Sequence, residues 1–221
     1  MSDLNAVSDQ DPASIAAYYD KWAVGTYNDD LASYEYKAPQ IGAGLLKKHM
    51  AKSDDMTDTS MTTKILDVGC GTGLSGEAMS KEGFTNGGST IVGTDISEAS
   101  FGVAAKTGVY ESMKQHNLHN LPLPFEKDAF DGLFCVGVLT YVKHYQELLQ
   151  DFSRIVKKGG VLVFTQRTHH YTKFGFDKAM EELVKEGVLE ILDQSEPMPY
   201  LPGHKDFTDK ILVYYFACRV N

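Results

Sequence analysis

A chain of 221 residues has room for one well-filled α/β domain and is short for two. Its formal net charge of −9, with no basic stripe beyond the two-lysine helix ends in LLKKHM and IVKKGG, argues against a protein that lives on nucleic acid, because phosphate binding needs clustered Lys and Arg. At 43% hydrophobic and 23% charged residues, with no long unbroken apolar run, it reads as an ordinary globular chain without a membrane span, and a small molecule is the expected partner.

The opening residues are acidic and lack an apolar run, so no signal peptide is expected. DPASIAAYYDKWA reads as a helix with Asp11 as its cap and Pro12 at the first helical position. Tyr18, Tyr19, Trp22, Tyr27, Tyr34 and Tyr36 follow in quick succession, and PQIGAGLLKKHM reads as a further helix. Ala51 to Thr63 is polar and without apolar period, a surface linker. Residues 1–63 are therefore expected to form a tail, a helical lid and a linker attached to a core of residues 64–221.

From Lys64 strands and helices alternate. KILDVG is a first strand and LSGEAMSKEG a helix ending at Gly83; STIVGTDIS is a second strand and EASFGVAAKTG a helix ending at Gly108. A weak third strand is predicted around Met113 to Leu118, and AFDGLFCVGVL, apolar on both faces, suits a central parallel strand. HYQELLQDFSRIVKKGG places Leu148, Leu149, Phe152, Ile155 and Val156 on one helical side, with Gly159 as the stop. GVLVFTQR is a fifth strand, FDKAMEELVKEG a helix, and VLEILDQ and KILVYYFACRV two final strands. The pattern predicts a doubly wound, seven-stranded Rossmann-like sheet with an antiparallel C-terminal strand pair. Cys70, Cys135 and Cys218 are far apart with no Cys-x-x-Cys spacing, which suits a reducing, cytoplasmic setting.

The chemistry concentrates in LDVGCGTGLSG, Leu66 to Gly76. Gly71-x-Gly73-x-x-Gly76 satisfies the dinucleotide pattern, which reports only that a backbone must approach a ligand closely. Asp67 argues against a dinucleotide, because a turn that attracts pyrophosphate to a helix N-terminus should avoid a nearby anion. A ligand with an ammonium and a sulfonium suits that carboxylate, and Gly69-x-Gly71-x-Gly73 lets the backbone lie flat beside an amino-acid moiety. Asp95, at the end of the second strand, can accept both hydroxyls of a ribose in either ligand.

The segments ILDVGCGTGLSG, VGTDIS, LPFEKDAFDGLFCVGVLTYV and VKKGGVLVF resemble the successive motifs of class I S-adenosylmethionine-dependent methyltransferases, from about Lys64 to the C-terminus. YDKWAVGTYNDDLASYEYKAP and CVGVLTYV are similar to the methyltransferase-like subgroup known from the Williams–Beuren region. The resemblance implies that Asp67, Gly69, Cys70, Gly71 and Gly73 surround the methionine end of S-adenosylmethionine. It implies that Asp95 holds the ribose, that Ile96 packs on the adenine, and that Asn117 and Leu118 stand where the family has an acidic and an apolar residue. Cys135 to Val138, with Gly137, would pass the sulfonium, and Tyr27 would close over the cofactor. Apart from that, Cys135 reads as a small buried apolar residue rather than a nucleophile.

Tyr19, Trp22 and Tyr36 join Tyr27 as lid candidates, against the plainer reading that Tyr18, Trp22 and Tyr36 form the apolar face packed on the sheet. In TQRTHHYTKFGF, read as a loop, Arg167, His169, His170 and Tyr171 are candidates to meet the methyl acceptor, as are Tyr141 and Tyr200. His169 or His170 could serve as a base, whereas an anionic acceptor would need none and Arg167 would orient it. His116 and His119, without a neighbouring Cys or Glu, make no expected metal site. The expected activity is methyl transfer to N or O, less readily S, of a small molecule. Protein methylation, a dinucleotide oxidoreductase and a non-catalytic cofactor-binding protein stay open as alternatives, as does the oligomeric state.

Overall fold

The computed structural model describes residues 11–50, 62–204 and 211–221, so most of the predicted linker lies outside the described residues. Helix α1 (Pro12–Ala23) begins as expected: the Asp11 carboxylate accepts from the backbone N–H of Ala13 and Ser14 at 3.0 and 3.1 Å, and Pro12 takes a position where no N–H is needed. Helices α2 (Tyr27–Ser33) and α3 (Ala38–Met50) follow. The core then runs β1 (Lys64–Val68), α4 (Leu74–Lys81), β2 (Thr90–Asp95), α5 (Glu98–Ala104), β3 (Tyr110–Gln115) and β4 (Phe130–Cys135). It continues through α6 (Tyr145–Ile155), β5 (Val156–Arg167), α7 (Thr168–Lys173), α8 (Phe176–Lys185), β6 (Leu189–Gln194), β7 (Met198–Pro199) and β8 (Leu212–Val220).

The sheet order is β3-β2-β1-β4-β5-β8-β6, with the two-residue β7 paired to β8 as an eighth strand. β1 to β5 pair in parallel, and β8 is antiparallel to both β5 and β6. The last two long strands are thus a pair, but β8 is inserted inside the sheet and β6 takes the edge. The side chains explain this choice. β8 buries Val213, Tyr215, Phe216, Ala217 and Cys218 on its two faces, which only an interior strand can do. β6 leaves Glu190 and Ile191 exposed and suits an edge. β3 starts earlier than predicted, at Tyr110, and β5 takes in the Lys157–Gly160 stretch read as a helix end. Residues 168–173, read as loop, form α7.

One face of the sheet packs Leu133, Phe164 and Phe216 against Leu149 and Phe152 of α6 and Phe176 of α8. The other sets Ile65, Phe134 and Val163 against Leu46 of α3 and Met79 of α4. Chain order reverses between β1 and β4, so a crevice opens at their carboxyl ends, the usual ligand position in such sheets. The connection from β3 to β4 borders that crevice and is tied down by Asp151 of α6. Its carboxylate accepts from Leu123 N at 2.6 Å and Arg154 Nε at 2.5 Å, while the Arg154 Nη atoms donate to the carbonyls of Phe125 and Leu123.

Asp151→Ala strands a buried N–H and takes the acceptor from a partly exposed guanidinium, and is expected to destabilise the fold by about 2–3 kcal/mol. Urea unfolding checks this; an unchanged midpoint would mean that other contacts hold the connection.

Candidate functional site

At the carboxyl ends of β1, β2, β4 and β5 lies a cavity of about 150 Å³, bordered by the glycine turn after β1, by Asp95, by the segment after β4 and by Arg167. The turn is held in place by Gly69 N, which donates to Thr94 O at 2.7 Å. Gly69 has φ +74°, and a Cβ there would sit 2.1 Å from Val138 Cγ2, so no larger residue fits between the turn and the segment after β4.

Gly76 has a different reason to be glycine. Its N–H donates to the Tyr110 hydroxyl at 3.1 Å, that hydroxyl donates to Asp67 Oδ2 at 2.7 Å, and a Cβ on Gly76 would collide with the phenol at 2.5 Å. The third glycine of the dinucleotide pattern therefore makes room for Tyr110 of β3. Asp67 is fully buried, its Oδ1 has no hydrogen-bond partner among the described residues, and burial pushes its carboxyl up to about 7 against the pull of the Tyr110 hydrogen bond.

Asp95 faces the cavity and organises two turns at once. Its Oδ2 accepts from Gly71 N and its Oδ1 from Ser97 N, both at 2.8 Å; burial raises its pKa while these two N–H groups lower it. Ser97 caps α5 and donates through Oγ to Asp20 Oδ1 of α1 at 2.6 Å. Thr72 of the glycine turn donates to Asn28 Oδ1 of α2 at 2.7 Å. The N-terminal helices are thus hydrogen-bonded to the turns that shape the cavity. Asp20, Asn28 and Thr72 carried no sequence signal of this.

Ile96, Asn117 and Leu118 line the cavity, beside His116 and His119. The Asn117 Oδ1 already accepts from His119 N at 3.0 Å, which fixes its direction. Tyr19, Tyr27, Tyr36, Tyr141 and Tyr200 also line the cavity. The hydroxyls of Tyr19 and Tyr141 are hydrogen-bonded to each other, as are those of Tyr36 and Tyr200 at 3.0 Å. A Cβ on Gly137 would meet the Tyr200 hydroxyl at 2.2 Å, so Gly137 makes room for that second pair. Burial raises the pKa of all five phenols, Tyr200 to about 12, and keeps them neutral. Trp22 also lines the cavity, its Nε1 donating to Asp30 Oδ2 at 2.8 Å, and Thr165 Oγ1 accepts from Gly137 N at 2.8 Å.

Several candidates do not reach the cavity wall. Asp67, Cys70, Gly73 and Cys135 lie behind it; Cys70 and Cys135 are buried among core residues. Because residues 168–173 are helical, His169 turns to solvent, with Nε2 3.4 Å from Lys173 Nζ, and Tyr171 packs on Tyr214 and Phe216. His170 is buried against Phe174, with Nδ1 3.4 Å from Thr140 Oγ1. Neither histidine faces the cavity as a base would, whereas Tyr141, Arg167 and Tyr200 do.

Residues 66–164 match a family model described as a methyltransferase domain. The chain is 28% identical over 152 residues to methyltransferase-like protein 27 of Homo sapiens, covering 69% of this chain and 57% of that protein, so it spans little more than half of this relative. It is 27% identical over 185 residues to the ubiquinone biosynthesis O-methyltransferase of Coxiella burnetii, covering 70% of this chain and 75% of the relative. Geranyl diphosphate methyltransferase, solved in complex with S-adenosylmethionine, shares the fold with a TM-score of 0.61 at 14% identity, over 89% of this chain and 91% of that one. A Rossmann-like sheet with an antiparallel penultimate strand, a Gly69–Gly73 turn facing Asp95 and the match over residues 66–164 make the chain similar to class I methyltransferases, for which S-adenosylmethionine is the cofactor.

Proposed function

We propose that the chain methylates a nucleophilic N or O atom of a small molecule enclosed in this cavity. The observation that carries the reading is continuity: one cavity is lined both by Gly69, Gly71 and Asp95 and by Tyr141, Arg167 and Tyr200, with α1 and α2 over it. A covered space with Trp22 and five tyrosines on its wall suits a small acceptor better than a protein segment, which needs an open cleft. The relative named for ubiquinone biosynthesis as an O-methyltransferase accords with an oxygen acceptor.

The residues present fit the cofactor. Gly69 and Gly71 leave the backbone bare, Asp95 presents a carboxylate to ribose hydroxyls, and the unpaired Oδ1 of Asp67 marks a buried anion behind the turn that a nearby cation would compensate. When bound, S-adenosylmethionine supplies a methyl group already activated on sulfur. The protein then has to align the acceptor and exclude water. In this reading Ile96, Asn117 and Leu118 flank the adenine, and Trp22, Tyr27 and Tyr36 cover the site. Tyr19, Tyr141, Arg167 and Tyr200 position the acceptor. Within residues 1–63, a tail, helical lid and linker in this reading, α1 and α2 act as the lid on a core of residues 64–221, in a cytoplasmic protein whose three cysteines are free and buried. Among the described residues no helix is long and apolar enough to cross a membrane.

Calorimetric titration with S-adenosylhomocysteine, followed by labelled-methyl transfer to small molecules and to proteins, tests the reading. Label appearing only on protein would replace it. Asp95→Ala is expected to weaken S-adenosylhomocysteine binding by about tenfold to a hundredfold, the loss of about 1.5–3 kcal/mol for hydrogen bonds to a charged group. Unchanged affinity would remove Asp95 from the site.

Asp67 gives a pH dependence. Its folded-state pKa of about 7 lies above the ordinary 3.8, so the folded cofactor-free chain holds this proton more tightly than the unfolded chain. Its contribution to stability is full below the ordinary value and is lost as pH rises through about 7. Asp67→Asn is expected to remove this component, so that urea midpoints at about pH 6 and about pH 8 differ less than in the wild type. An equal difference in both proteins would show that Asp67 does not titrate there.

A further inference from the structure

We propose that Tyr110 is a positioning residue for the cofactor: its hydroxyl ties Asp67 Oδ2 to Gly76 N and so leaves Asp67 Oδ1 as the oxygen that meets a cation beside the glycine turn. The proposal rests on the methyltransferase reading, in which that cation is the ammonium of S-adenosylmethionine. It goes further by naming the group that sets the carboxylate for it.

Tyr110 opens β3, Asp67 lies on β1, and Gly76 is in the first turn of α4. In the sheet β2 stands between β1 and β3, so the Tyr110 side chain crosses β2 to reach Asp67. Glycines make that crossing possible. A Cβ on Gly93 of β2, the register partner of Asp67, would come 3.2 Å from Tyr110 Cδ1, and one on Gly76 would come 2.5 Å from the hydroxyl. A phenylalanine would fill the same space. Only the hydroxyl makes the two bonds, donating to Asp67 Oδ2 at 2.7 Å and accepting from Gly76 N at 3.1 Å.

The same bond bears on charge. Asp67 stands opposite Gly93 of β2 and Phe134 of β4, and the titratable groups next to it among the described residues are Asp95 of β2, Cys135 of β4, Cys70 of the turn and Tyr110 of β3. None of these is a cation. Burial and Asp95 both favour the protonated carboxyl of Asp67, and the Tyr110 hydroxyl works against them by donating to the anion. The carboxylate holds a cation and the acid does not. Cofactor binding is therefore expected to strengthen as pH rises through about 7, where Asp67 of the cofactor-free protein loses its proton. Without the hydroxyl that proton is held more tightly, and the same gain comes at higher pH.

The test is calorimetric titration of the full-length protein with S-adenosylhomocysteine, which keeps the ammonium, from about pH 6 to about pH 9. Wild type, Tyr110→Phe, Asp67→Asn and the double variant are compared, so the ligand's own titration cancels. Over that range wild-type affinity is expected to rise about tenfold more than that of Asp67→Asn. Tyr110→Phe is expected to bind about tenfold more weakly than wild type at about pH 6 and within about threefold of it at about pH 9, the weight of one hydrogen bond to a charged group. In the Asp67→Asn background the same change is expected to alter affinity by less than about twofold at every pH. No loss in Tyr110→Phe, a loss equal at every pH, or one that persists beside Asp67→Asn overturns the proposal and leaves the hydroxyl a structural contact. A wild-type rise no steeper than that of Asp67→Asn overturns it as well, and this comparison decides should Tyr110→Phe fail to fold. Failure of the wild type to bind S-adenosylhomocysteine at any pH would instead overturn the methyltransferase reading.

Discussion

The arrangement of the site depends on the carboxylate of Asp95. One oxygen holds Gly71 N and so fixes the glycine turn; the other holds Ser97 N and so fixes the start of α5. Ser97 passes the constraint on to Asp20, which anchors α1 from a distant part of the chain. A buried anion that receives backbone N–H groups on both oxygens is directed as well as stabilised, because rotating the carboxylate would break both bonds. The glycine turn, the end of β2 and the covering helix therefore share one geometry, and the cavity between them is shaped before any ligand enters.

Among the described residues the cavity wall carries Asp95 and Arg167 beside phenols that stay neutral, and Asp67 is buried behind the glycine turn. Burial raises the pKa of both carboxylates, so in the cofactor-free protein ionising either one is costly, most of all Asp67, whose Oδ1 has no partner among the described residues. A cationic ligand compensates that cost on binding, which is a physical reason for the turn to select a sulfonium and ammonium over a pyrophosphate. The hydroxyls of Tyr19 and Tyr141, and of Tyr36 and Tyr200, pair with each other and thereby remain satisfied where water is excluded.

Local chemistry was readable wherever a residue acts on its neighbours. Asp11 and Pro12 announce α1, the close-set glycines announce a turn, and the apolar run of β4 announces a central strand, because capping, left-handed backbone and burial on two faces each leave a mark within a few residues. The dipeptide His169–His170 shows the limit: whether a loop or a helix follows β5 decides which way each ring points, and polar residues at a helix start carry no strong period. β3 was blurred for the same reason, since its ESMKQ stretch is largely exposed and does not alternate cleanly.

The sequence by itself determined an α/β chain of alternating strands and helices, a glycine turn after β1 and a carboxylate at the end of β2, since these follow from short-range pattern and backbone sterics. Only the tertiary structure decided that β8 slips between β5 and β6, that Tyr110 occupies the space above Gly76, and that Asp20, Asn28 and Thr165 brace the site. Those bonds join residues 77, 44 and 28 positions apart, for Ser97–Asp20, Thr72–Asn28 and Gly137–Thr165. A contact at such separation has no periodicity to betray it; it exists only once the sheet has brought both partners to the same carboxyl edge.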